Sequence, residues 1–107
     1  NRKDEPGEAL ARHPIVASDE TERQLLLRYI ERKSLDIGRL EKALAGEDFP
    51  LIRRIGHNLA GSGAAYGFVR ISNLGRHIEA AAGRQSAPEI AEFVAELARY
   101  VEGVTIE

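Results

Sequence analysis

The chain has 107 residues, a formal net charge of −2 and neither cysteine nor methionine. A single domain of this length buries roughly two-thirds of its unfolded surface, enough for one core. The missing thiols exclude disulfides, cysteine nucleophiles and cysteine-ligated metals. No apolar run approaches the roughly 18 residues of a membrane span, and no signal-peptide core is present. A reducing, cytoplasmic setting is therefore expected. The missing initiator methionine reads as a domain excised or trimmed from a longer chain.

Residues 1–17 read as an N-terminal arm or linker, because Pro6, Gly7 and Pro14 cut them too short for a stable helix. The domain proper is expected over 18–107. Asp19 with Glu22 has capping-box spacing and opens a first helix, predicted over 19–46. Leu26, Ile30, Ile37, Leu40 and Leu44 recur on one face of it. Lys33 interrupts the stripe, and Gly38 costs about 1 kcal/mol relative to alanine. No proline breaks the run, and Gly46 supplies a stop.

Asp48 caps a second helix, predicted over 49–64, with Pro50 in its first turn. Its buried stripe is Ile52, Ile55, Leu59 and Ser62. The segment Gly63–Gly67 is expected to terminate it. A third helix follows over 68–82 with Phe68, Ile71, Leu74, Ile78 and Ala82 inward. Ser86 and Glu89 form a second capping box before a fourth helix at 87–103, whose stripe is Ile90, Val94, Leu97, Val101 and Val104. No alternating pattern calls for a strand, and a strand anywhere, or a core-facing His57, would overturn the geometry on which the rest depends. The expected fold is all-α, an antiparallel up-down four-helix bundle with an N-terminal arm.

Charge is uneven along this plan. Between Phe49 and Ile78 there are four arginines (Arg53, Arg54, Arg70, Arg76) and no acid. A basic patch on an acidic chain suits an acidic partner.

The second helix carries one histidine, and its direction follows from 100° per residue. With Ile52 at zero, the core direction lies near ~330° and His57 near ~140°, almost opposite. Arg53, Ala60, Gly61 and Ala64 share its side. An exposed glycine inside a helix costs about 1 kcal/mol, so Gly61 needs a reason such as close approach by another backbone. Gly63, Tyr66 and Gly67 need no more than helix termination.

The run His57-Asn58-Leu59-Ala60-Gly61-Ser62-Gly63-Ala64-Ala65-Tyr66-Gly67 resembles the signature of histidine-containing phosphotransfer domains, H-x-L-K-G-S-x-x-x-x-G. Ala60 departs from it, replacing lysine. A second family pattern, L-x-x-L-x-x-x-L-E-x-x-A, is matched by Ile71, Leu74, Ile78, Glu79 and Ala82. The resemblance covers about residues 20–104. It implies that His57 is the phosphoacceptor in a two-component relay, with Arg53, Ala60, Gly61 and Ala64 as the docking surface. The implied partners are a response-regulator receiver domain and a histidine kinase. Histidine is the side chain that ordinarily titrates near neutral pH, so its neutral nucleophilic form is available. No cofactor is expected on this chain; Mg²⁺ is expected on the partner receiver domain. The chain has no G-x-x-x-x-G-K-[ST] loop, so the phosphoryl group must come from outside. In the family the lysine lies beside the imidazole and favours the phosphorylated state. Its absence leaves three readings: transfer tolerates the loss, the domain is a docking module, or the alanine was introduced. Arg53, one turn before His57, is a candidate replacement cation.

Other classes fit less well. A helix-turn-helix reader drawn from Leu51 to Glu79 would present Arg70, Ser72, Asn73 and Arg76. The acidic balance and the long glycine-containing connection oppose it, so no nucleic-acid partner is expected. A carboxylate-bridged metal bundle needs Glu-x-x-His on two helices, but the residues three before His13, His57 and His77 are Leu10, Arg54 and Leu74. No metal site and no membrane partner are expected. His77 reads as a surface residue, and Glu79 as a capping or locally paired carboxylate. A plain helical adaptor is the main alternative, and the expected state is a monomer.

Overall fold

The computed structural model describes residues 12–107. Four helices follow one another: α1 (Glu20–Ala45), α2 (Phe49–Tyr66), α3 (Val69–Gly83) and α4 (Ala87–Gly103). Connections of two or three residues reverse the chain each time, which makes sequential helices antiparallel neighbours. The apolar stripes meet in one core built around Leu26, Leu40, Ile52, Ile55, Leu59, Ile71, Leu74, Ile78, Ile90, Val94, Leu97 and Val101. This is the all-α four-helix bundle that the periodicity predicts.

Local chemistry sets the helix ends. Asp19 Oδ1 accepts from the Glu22 amide at 2.8 Å. Glu22 reciprocates one residue early, taking the Ser18 amide at 2.6 Å. Asp48 Oδ1 caps α2 through the Leu51 amide at 3.2 Å. Ser86 occupies the N-cap position of α4 but makes no side-chain cap bond. Its expected box partner Glu89 pairs instead with the Arg84 guanidinium at the end of α3. The box fails because a nearby full charge competes with a backbone amide.

Two strands correct the expectation of none. His13–Ile15 (β1) and Val104–Ile106 (β2) pair in parallel, three residues each. Val104 therefore belongs to β2 and not to the α4 stripe. The pair leaves the bundle intact because it adds to its core, with Ile106 buried there and Ile15 and Val104 packed against it, while joining the chain before α1 to the chain after α4. Pro14 lacks an amide and is tolerated at such an edge. Residues 1–11 of the expected arm lie outside the described residues.

Lys33 and Tyr29 explain how α1 holds the polar interruption in its stripe. Lys33 is buried, with Nζ 2.8 Å from Asp36 Oδ2 and 4.8 Å from the centre of the Tyr29 ring. Tyr29 is buried against the stacked rings of Tyr66 and Phe68. Its hydroxyl meets Ser62 Oγ at 2.9 Å, tying α1 to α2. Burial pushes the Tyr29 phenol above its ordinary pKa, an effect the Ser62 bond partly opposes.

Candidate functional site

Glycine decides how α2 meets α3. A Cβ on Gly63 would lie 2.6 Å from the Ser72 amide nitrogen, and one on Gly75 would lie 2.6 Å from the Ala60 nitrogen. A Cβ on Gly56 would lie 2.8 Å from the Glu79 nitrogen. In each case the obstacle is backbone, so the helices touch main chain to main chain. Ser72, buried in the same seam, donates from Oγ to the Ala60 carbonyl at 2.8 Å. Gly63 is thus a packing residue. It does not end the helix: α2 runs on to Tyr66, and Gly67 stops it at φ 85°.

On the outer side of this seam His57 stands 73% exposed. Arg53, Gly61 and Ala64 are exposed with it, and Ala60 is half-buried. The space above Gly61 is open: a methyl group added there would have nothing within 4 Å. The helical-wheel expectation for α2 holds at Arg53, His57, Gly61 and Ala64, and only in part at Ala60, whose backbone lies in the seam with α3.

Sequence reasoning misses the partner of His57. Glu79, on α3, places Oε2 3.2 Å from His57 Nδ1. A carboxylate only accepts, so the hydrogen bond requires the proton on Nδ1. In the neutral ring that leaves the Nε2 lone pair free. Gly56 makes the pair possible: it lets the α3 backbone at Glu79 come against the turn that bears His57. A signal is present in the second pattern, whose glutamate is Glu79, but no local rule aims that side chain across a helix seam.

Other candidates are sorted by the same geometry. Arg53 borders an open groove with Arg76, Glu79, Ala80 and Gly83. Arg70 pairs with Glu96 on α4. Ser72 faces the seam, so the nucleic-acid set of Arg70, Ser72, Asn73 and Arg76 does not form one outward surface. His77 is exposed and stacks on Phe93 with centroids 5.0 Å apart. Among the described residues no cluster of potential metal ligands occurs, and no helix is long and apolar enough to cross a membrane.

Comparison with known proteins agrees with this geometry. A family model described as Hpt domain matches residues 24–105. Neither the curated proteins nor the solved structures contain a significant match. The matched segment takes in all of α2, α3 and α4 and most of α1, so the chain belongs to the Hpt domain family, whose members act in histidine phosphotransfer within two-component phosphorelays.

Proposed function

We propose that His57 is the residue of this domain that accepts a phosphoryl group from a receiver-domain aspartate and passes it on. The observation that carries this reading is the His57–Glu79 pair: an exposed imidazole whose Nδ1 is held, leaving Nε2 outward. Nε2 attacks the phosphorus of the aspartyl phosphate. The N–P bond forms, the P–O bond to the aspartate breaks, and the carboxylate leaves with the electron pair. The ring then carries the Nδ1 proton and a positive charge, which the Glu79 carboxylate faces and stabilises. The reverse sequence returns the group to a receiver. Mg²⁺ belongs to the receiver in this scheme, where it offsets phosphoryl charge.

The receiver docks over His57, Ala60, Gly61 and Ala64, where small side chains let a partner backbone approach. Arg53 steers an acidic partner face, so binding weakens as salt rises. Ala60 favours a second reading, a docking module that binds without efficient transfer. Incubation with a labelled phospho-receiver separates the two. Label arriving on this chain supports the relay; binding without label supports the adaptor.

Glu79 acts as a positioning residue. Glu79→Ala is expected to slow transfer about tenfold, close to 1.4 kcal/mol, in line with loss of a partly solvated charge-assisted hydrogen bond. Glu79→Gln keeps an acceptor and should recover part of the rate. Nitrogen NMR of the His57 ring provides the independent readout. The Nδ1–H tautomer should lose population in Glu79→Ala; an unchanged tautomer ratio would remove Glu79 from the scheme.

A further inference from the structure

Ala60 leaves the surface beside His57 without the ammonium group that the Hpt signature places there. A second helix offers a replacement. Along α3, with Ser72 at zero, Arg76 lies near ~40° and Glu79 near ~340°. Ser72 reaches the Ala60 carbonyl and Glu79 reaches His57. Arg76 stands between these two contacts, on the side of α3 that flanks the exposed stripe of α2. Its guanidinium is already oriented: Nη1 donates to Ser72 Oγ at 3.1 Å, and Nη2 donates to Asn73 Oδ1. Two hydrogen bonds, through Ser72, separate it from the carbonyl of residue 60. Both of its acceptors are neutral, so neither cancels its charge.

The space before it suits an anion. Arg53, Arg76, Glu79, Ala80 and Gly83 line an open groove of about 450 Å³. A phosphoryl group on His57 would bring close to two negative charges beside the Glu79 carboxylate. A guanidinium offers several donors in a fixed fork suited to phosphoryl oxygens. Arg53 shares the groove, but among the described residues nothing orients it.

We propose that Arg76, reaching across from α3, is the cation that faces the phosphoryl group on His57, in place of the lysine absent at residue 60. The inference rests on His57 as the phosphoacceptor. The Ser72 and Asn73 bonds hold the guanidinium in reserve, and a phosphoryl group exchanges those neutral acceptors for charged ones. The alanine at 60 serves this arrangement by keeping the approach from α3 unobstructed.

The test needs no cognate receiver. Phosphoramidate phosphorylates exposed imidazole directly, and phosphorus NMR follows the product across pH. The His57 resonance is identified as the one absent from His57→Gln. A cation opposes protonation of a neighbouring group, so removing it raises the titration midpoint. Arg76→Ala is expected to raise the midpoint by about half a pH unit, the scale of one charge at about 5 Å in a largely aqueous setting. Arg76→Lys should restore it, as should Ala60→Lys placed in the Arg76→Ala chain. Arg39→Ala, on the far helix α1, should leave it in place. An unchanged midpoint in Arg76→Ala overturns the proposal while leaving His57 as acceptor. So does an equal shift in Arg39→Ala, or failure of both lysine variants to restore the value. A resonance pattern that His57→Gln leaves intact overturns the His57 reading, and the role of Arg76 with it.

Discussion

Gly75→Ala is expected to destabilise the domain by about 2–3 kcal/mol, although alanine is the better helix former by about 1 kcal/mol. The added methyl would meet the Ala60 nitrogen at 2.6 Å, the Gly56 carbonyl at 2.8 Å and the Leu59 Cβ at 2.9 Å. Two of these are main-chain atoms that no rotamer change can move, so α2 and α3 must separate along their length. For a domain whose total stability is typically about 5–15 kcal/mol, this is a large loss. Gly63→Ala should behave alike. Gly38→Ala and Gly61→Ala form the contrast. Nothing lies within 4 Å of either added methyl, and each should stabilise the fold by up to about 1 kcal/mol. Urea midpoints of the four variants provide the measurement. Equal midpoints for Gly75→Ala and Gly61→Ala would mean that the seam yields freely.

His57→Gln is expected to abolish phosphoryl transfer from a labelled phospho-receiver while leaving the unfolding free energy within about 0.5 kcal/mol of the parent, since the side chain is exposed. The glutamine amide nitrogen has no lone pair available for attack, so the loss should be complete. Ala60→Lys should act in the other direction. One charge beside a partly solvated phosphoryl group is worth about 1–2 kcal/mol, which is roughly a five- to thirtyfold gain in rate or equilibrium. Label retained in His57→Gln would remove His57 from the mechanism. Strong labelling only after Ala60→Lys would make the chain, as it stands, a docking module.

The helices and their faces are legible in the sequence because apolar spacing and capping residues act locally. Asp19 and Asp48 cap as expected, and the wheel puts His57 outward. The same wheel can separate the glycines of α2. With Ile52 at zero, Gly56 and Gly63 fall near ~40° and ~20°, beside the core direction, whereas Gly61 falls near ~180°. Hydropathy gives glycine no face, so hydropathy alone makes Gly63 a terminator. Glu79 escapes for a different reason. Its contact with His57 depends on the register between two helices, which the glycine seam sets and no single helix contains. The β1–β2 pair joins residues about 90 positions apart with three residues on each side. Segments that short carry no usable period, and their partner choice is purely long-range.

That pair also fixes how the domain bears tension. β1 and β2 run in the same direction, and the bonds Glu107 N–H to Ile15 O at 2.7 Å and Ala17 N–H to Glu107 O at 3.4 Å extend the ladder. A pull on the chain before β1 and after β2 draws the two strands past each other lengthwise. The bonds are then loaded together in shear, unlike a hairpin that opens one bond at a time. The helices, the glycine seam and the His57 face stay shielded until the clasp gives way. In a single-molecule pull between the two ends, an initial force peak should disappear when Glu107→Pro removes the amide that donates to the Ile15 carbonyl. A peak that persists would place the mechanical barrier inside the bundle.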